Sequence, residues 1–297
     1  MRSSVAIPPF QRRGLVLEAI ASVIAQDKPA DEIIVVDDGS TDGTADAIQR
    51  EFGPAVRLVR QANRGVSAAR NAAAALSRND LIAFLDDDDR WLPDPLETIE
   101  ALARRHPAAV LISTCHNAWF GSETVSESIC HNMAEALLLG TDWVGPPSGV
   151  AVPRRAYLDA GGSDPRMGIA DDLDLYLRSS LLGPTALISA TTFERRVQPD
   201  SLSERGLNEK RLHLDCARLM SASFLERLDD SKIVDKAALR RAASGRLAME
   251  ATIAALSDGA RLSLSPRQIR ALEKRTIGKF GEATLKRHRT AQATRSG

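Results

Sequence analysis

Short apolar runs alternate with amphipathic stretches along the first third of the chain. Residues 5–7, 32–36, 56–59 and 81–85 are runs of strand length, and the second and fourth are dense in Ile, Val, Leu and Phe. Between them, residues 14–26 carry Leu17, Ile20, Ala21 and Ile24 at the spacing of an amphipathic helix. Thr41-Asp42-Gly43-Thr44 supplies helix-start chemistry for a helix ending near Phe52, and residues 65–76 align Val66, Ala69, Ala73 and Leu76 on one stripe. Pro93 and Pro95 mark the next helix start, and residues 108–113 form a further strand candidate. This order predicts an α/β fold, a mostly parallel sheet flanked by helices with right-handed crossovers.

Beyond residue 115 the pattern is less regular. Pro146-Pro147-Ser148-Gly149 and Gly161-Gly162 read as loops, and residues 173–182 read as a short helix preceded by Asp171-Asp172. After residue 203 strand signals stop. Residues 206–228, 235–257 and 266–288 are rich in Ala, Leu and Arg, and Ser265-Pro266 opens the last as cap and first-turn proline. The expected organisation is an α/β domain over 1–204 and a C-terminal all-helical region over 205–297.

Composition adds two constraints. The 297 residues are 43% hydrophobic and 26% charged, as in an ordinary globular protein. No apolar run approaches the ~20 residues needed to span a bilayer. Met1-Arg2-Ser3-Ser4 enters a strand-like segment without a signal-peptide core, so a cytoplasmic location is expected. Cys115, Cys130 and Cys216 are too scattered for a disulfide framework or zinc knuckle and read as buried thiols. The five histidines show no metalloprotease spacing, and His106 and His288 read as surface residues. Net charge is zero but unevenly divided: residues 205–297 hold 20 Lys and Arg against 10 Asp and Glu, leaving 19 against 29 for residues 1–204. Such a basic region could dock on the acidic domain, mediate a homodimer, or lie peripherally on an anionic membrane through Arg267, Arg270, Lys274, Lys286, Arg287 and Arg289. Nucleic acid is not an expected partner, because no aromatic residues interleave with the charge.

The densest chemical signal is at two strand ends. Residues 81–85 run directly into Asp86-Asp87-Asp88-Asp89, and residues 32–36 into Asp37-Asp38-Gly39-Ser40. In a parallel sheet both ends emerge on one edge, where open α/β sheets bind ligands. Four adjacent carboxylates repel one another unless a cation sits among them, and Mg²⁺ or Mn²⁺ prefers oxygen ligands. The bland alternative is a solvated acidic turn.

Four blocks then occur in order: Ile33 to Thr44 (IIVVDDGSTDGT), Asn63 to Asn71 (NRGVSAARN), Ile82 to Trp91 (IAFLDDDDRW) and Asp171 to Arg178 (DDLDLYLR). Over residues 4–203 the chain resembles family 2 glycosyltransferases of the GT-A, Rossmann-like fold. The resemblance implies transfer of a sugar, with inversion, from a nucleotide-diphosphate donor (a UDP-sugar favoured) to the hydroxyl of a carbohydrate or glycolipid acceptor in polysaccharide or glycoconjugate assembly. It implies a divalent cation, Mn²⁺ or Mg²⁺. By the same matching, Asp86 and Asp88 lie against the donor, with Asp88 and Asp89 at the metal and Asp87 at the variable position. Asp37 and Asp38 match the pair that holds the base, with Pro8 and Phe10 in the first-strand segment where Phe10 offers a stacking face. Arg70 is placed to reach phosphate, the acidic loop or a structural partner.

Asp172 matches the family's base, with Asp171 beside it raising its pKa. Helix capping is the structural alternative for this pair. Asp174 reads as a solvent-facing helix residue, and Trp91 as a core anchor. Two positions depart from the family pattern: Pro9 replaces a hydroxyl residue, and Gln198 stands where many relatives have His. They keep open a second class, a nucleotide- or metal-binding protein on the same fold without transferase activity. Sugar nucleotidyltransferases and dinucleotide oxidoreductases are not expected, since no glycine-rich loop follows Ile7.

Overall fold

The structure, a computed structural model, describes residues 1–116, 125–138, 144–196, 210–231 and 236–257. Strands β1 (Ser3–Ile7), β2 (Glu32–Asp37), β3 (Arg57–Arg60) and β4 (Leu81–Phe84) pair in parallel in the order β3-β2-β1-β4. Helices α1 (Arg13–Ile24), α2 (Thr44–Phe52) and α3 (Val66–Leu76) connect them. Each apolar run therefore becomes a strand, buried in β1, β4 and nearly all of β2 and only partly so in β3.

The far half of the sheet is mixed. Beyond β4 lie β8 (Val150–Pro153), β6 (Leu111–His116), β9 (Thr185–Glu194) and β5 (Arg90–Trp91), with β7 (Glu127–Cys130) also paired to β9. Strand β8 is antiparallel to β4 and β6, while β6 and β9 are parallel. The strand expected at 108–113 starts later because Pro107 lies in a turn, closed by Ala109 N–H donating to His106 O at 2.9 Å.

Strand side chains alternate between two cores, as a period of two requires. Ala6, Ile34, Val36, Ile82 and Phe84 face one core; Val5, Ile7, Ile33, Val35, Leu81 and Ala83 face the other. The second is closed by α1, α2 and α4 (Pro95–Arg105) through Ile20, Ile48 and Leu102. The first is closed by α3, α5 (Met133–Leu138), α6 (Arg154–Asp159) and α7 (Asp171–Ser179).

Helices α8 (Lys210–Asp230) and α9 (Lys236–Ser257) belong to that same core: Met220, Phe224, Leu228, Leu239 and Ala243 are buried in it with Tyr157 and Leu177. α8 packs on α7, and α9 on α8 and α5. The expected helix at 266–288 with its basic residues, Gln198, and the boundary at 204/205 lie outside the described residues. No helix among the described residues is long and apolar enough to cross a membrane. Cys115 and Cys130 are half-buried and Cys216 buried, all as free thiols.

Removing a fully buried ring leaves a cavity costing about 3–5 kcal/mol. Because Phe224 is fully buried in the core shared with α7, Phe224→Ala should destabilise the protein by that amount in denaturant unfolding; a loss below about 1 kcal/mol would show that α8 contributes little to the core.

Candidate active site

Three parallel strands end side by side, and their loops are stitched together. Asp38 N–H donates to Pro9 O at 3.0 Å, and Leu85 N–H to Ala6 O at 3.0 Å. Asp37 is fully buried and paired with Arg60 at 3.1 Å. Asp38 accepts Gln61 Nε2 at 2.7 Å and Arg64 N–H at 3.0 Å on Oδ1, and Gly65 N–H at 2.8 Å on Oδ2. Both carboxylates thus organise the loops at this sheet edge. Gly39 adopts φ +83°, and a Cβ there would lie 2.8 Å from Asn63 N, so this turn requires glycine. Phe10 is 42% exposed beside these loops, and Pro8 is buried.

The four aspartates alternate. Asp86 and Asp88 are half-buried, whereas Asp87 and Asp89 are buried, in a turn closed by Asp89 N–H to Asp86 O at 3.1 Å. Asp87 accepts Phe10 N–H at 3.1 Å and Arg12 Nη1 at 2.8 Å; the same nitrogen reaches Asp88 Oδ2 at 2.6 Å. Asp89 accepts the Ser148 hydroxyl at 2.5 Å and Arg196 N–H at 3.1 Å. Ser148 Oγ also accepts Asp86 N–H at 3.1 Å, and Trp91, anchored in the core, donates from Nε1 to Ser148 O at 2.9 Å.

Burial pushes Asp89 up to about 7, with Asp86 adding like-charge repulsion against the Ser148 hydrogen bond. Burial pushes Asp87 up to about 6 against the pull of Arg12. Asp88 is raised by burial and then by Asp86. Dense carboxylate oxygens with their ionised forms disfavoured are a donor set that a hard dication would relieve. Among the described residues no three metal-ligating side chains already converge on one point. Arg12 and Ser148 hold Asp88 and Asp89, and an incoming ion would displace or share them.

Arg70 links this block to α7. Its guanidinium is buried, with Nη2 2.7 Å from Asp86 Oδ1 and Nη1 2.6 Å from Asp171 Oδ2. Ser67 Oγ also donates to Asp171 at 3.2 Å. Asp172 is half-buried, its Oδ1 accepting Leu173 N–H at 2.8 Å. Burial first, and Asp171 second, raise Asp172 to about 6, while Arg70 opposes them. Asp171 thus has the direction of effect expected from sequence, but burial is the larger cause. Ala170, before this helix, holds a left-handed φ of 55° that costs a non-glycine residue about 1 kcal/mol.

Asp174 corrects an expectation. It is 1% exposed and ion-paired with buried Arg178, which also donates to Ala160 O. α7 is packed by α5, α6 and α8, and the Arg178 guanidinium rather than solvent meets the Asp174 carboxylate. Arg12 and Ser148 were absent from the sequence-based set. Position after the first strand was the available signal for Arg12, but Ser148 had none, since its loop meets the aspartates only through the fold.

Residues 4–138 match the model of glycosyl transferase family 2. Over that span the chain carries a glycosyl transferase family 2 domain. It is 26% identical over 260 residues to an uncharacterized Mycobacterium tuberculosis protein, MT1568, covering 80% of each chain. It is 30% identical over 169 residues to an uncharacterized Nostoc glycosyltransferase, alr2836, covering 54% of this chain and 52% of that one. Similarity to chondroitin synthase of Escherichia coli is 25% over 223 residues, covering 69% of this chain and 30% of that one. The chain therefore spans about half or less of these last two relatives. Among solved structures, S. aureus TarS in complex with UDP-GlcNAc superposes with TM-score 0.66 at 17% identity over 94% of this chain and 80% of that one. The mannosyltransferase PcManGT of Pyrobaculum calidifontis, with GDP-Man and Mn²⁺, gives 0.57 at 20% identity over 96% and 86%. The fold is GT-A, and the chain is a glycosyltransferase.

Ser148→Ala removes two hydrogen bonds from the acidic turn and leaves Asp89 Oδ2 without its hydroxyl donor. The expected loss is about 1–3 kcal/mol in urea unfolding; an unchanged midpoint and slope would contradict Ser148 as a strut of the turn.

Proposed function

We propose that this glycosyltransferase inverts: it moves a sugar from a nucleotide-diphosphate donor, UDP-linked by preference, to an acceptor hydroxyl in a single displacement. The observation that carries the reading is the buried Arg70, which joins the acidic block to the helix bearing Asp172. Separate strand-end and helix motifs become one site.

Asp172 has the chemistry of a base. A carboxylate raised to about 6 is ionised at neutral pH yet accepts a proton more readily than an exposed aspartate. As the acceptor oxygen bonds to the anomeric carbon, its proton passes to Asp172 and the bond from that carbon to the diphosphate oxygen breaks. Asp88 and Asp89 would hold Mn²⁺ or Mg²⁺, which when bound supplies positive charge to the leaving diphosphate. Phe10, exposed above Pro8, offers a ring face to the base, and the walls built on Asp37 and Asp38 frame it. Residues 1–204 carry this chemistry, and α8 and α9 buttress it.

The neighbours' bound molecules support the donor class: UDP-GlcNAc in TarS, GDP-Man with Mn²⁺ in PcManGT. The likeness to chondroitin synthase supports a carbohydrate or glycolipid acceptor and a role in polysaccharide or glycoconjugate assembly.

Incubation with a panel of UDP- and GDP-sugars and Mn²⁺, following nucleotide diphosphate release, tests this reading. Release from a UDP-sugar is expected, and failure with every donor would overturn it. Asp172→Asn should lower the rate by about 10²–10⁴, the range of general-base catalysis. Since the ionised carboxylate is the active form, the wild-type rate should rise with pH through about 6, and that limb should vanish in Asp172→Asn. An unchanged rate and limb in the variant would remove Asp172 from the chemistry.

A further inference from the structure

Arg12 is held in a way that lets it let go. A single nitrogen, Nη1, contacts both Asp87 Oδ1 at 2.8 Å and Asp88 Oδ2 at 2.6 Å. The two aspartates differ in environment. Asp87 is 6% exposed, and its other oxygen accepts Phe10 N–H at 3.1 Å, so it is fixed to the very loop that carries Arg12. Asp88 is half-buried, more exposed than Asp87. Arg12 can leave Asp88 while keeping its contact with Asp87.

A guanidinium stays charged at every pH the protein meets, so it competes permanently for an oxygen that a cation would need. Its own side chain is 28% exposed and shares Asp87 with the backbone of exposed Phe10. An anion entering there offers it a second partner. We propose that Arg12 guards the metal site: it neutralises Asp88 in the free protein and pivots on Asp87 when a nucleoside diphosphate arrives, so that divalent cation and nucleotide bind cooperatively. This gives Asp87, at the variable position of the acidic block, a task as the post that retains Arg12. The inference rests on the metal and donor reading above. By linkage, whatever the nucleotide adds to cation affinity the cation adds to nucleotide affinity.

Calorimetric titration of MnCl₂ into the full chain, alone and with saturating UDP or GDP, tests it in the wild type, Arg12→Gln, Arg12→Lys and Arg13→Gln. Expected for Arg12→Gln is Mn²⁺ binding about tenfold tighter without nucleotide, the scale of one charge-assisted contact, and a smaller gain on adding UDP. Arg12→Lys should retain most of the wild-type suppression. Arg13→Gln removes the same charge from a neighbouring exposed position and should stay within about twofold, as screened charges do. Thermal unfolding near the wild-type temperature confirms that each variant is folded. Equal Mn²⁺ affinity in Arg12→Gln and wild type would overturn the guard while leaving the metal site standing. So would an Arg12→Lys or Arg13→Gln variant as tight as Arg12→Gln. No Mn²⁺ binding by any of the proteins, with either nucleotide, would overturn guard and metal reading together.

Discussion

The site depends on one buried guanidinium. Arg70 has left water, which costs several kcal/mol for a charge unless it is well paired. Its fork provides the pairing: Nη1 to Asp171 and Nη2 to Asp86, each below 3 Å (2.6 and 2.7 Å). A lysine could carry the charge but not reach two carboxylates along fixed directions. Among the described residues Nε has no hydrogen-bond partner, so the position is not built for maximal stability. The adjacent Asn71 continues the function of α3: its Oδ1 accepts Tyr157 OH at 2.7 Å and Ser163 N–H at 2.9 Å, fixing the loop that leads to α7. A Cβ on Gly162 would stand 2.4 Å from that Oδ1, which is why glycine sits there. One helix thus sets the distance between the acidic block and the proposed base.

Around this strap the acidic turn holds more negative charge than a folded core ordinarily accepts. Arg12 and Arg196 with the Ser148 hydroxyl partly offset it, yet Asp87 and Asp89 remain raised by burial. Such stored charge is what a bound dication would relieve. The C-terminal helices brace the same region from behind. Arg227 of α8 donates to Asp159 O at 3.2 Å, and Leu212 packs against Gly168. Both contacts bear on the segment preceding Asp171, so helices remote from the sheet edge still bear on the placement of Asp172.

The first half of the sheet was legible because its signals are local: apolar runs of strand length, each with a connecting helix. The acidic strand ends were legible for the same reason, and parallel pairing brings them to one edge without further information. Of the far half only β6 was legible, its start displaced, because β5, β7 and β8 are only two to four residues long and derive their pairing from neighbours rather than from periodicity. Ser148 reaches Asp86 and Asp89 across the fold, and Asp174 lost its expected solvent because α8 covers α7. In each case the deciding partner is distant in sequence. The roles of Asp37 and Asp38 show the converse: their positions followed from sequence, while their engagement with Arg60 and the 61–65 backbone followed only from coordinates.

The most direct measurement is turnover of a UDP-sugar by Arg70→Lys alongside its affinity for the same donor. Lysine keeps the positive charge and loses the fork, so the strap is broken with little change in net electrostatics. Turnover should fall by about a hundredfold, the scale of a one-ångström misplacement, with donor affinity and unfolding temperature close to wild type. A folded Arg70→Lys protein that turns over at the wild-type rate would contradict the claim that Arg70 holds the two halves of the site in register.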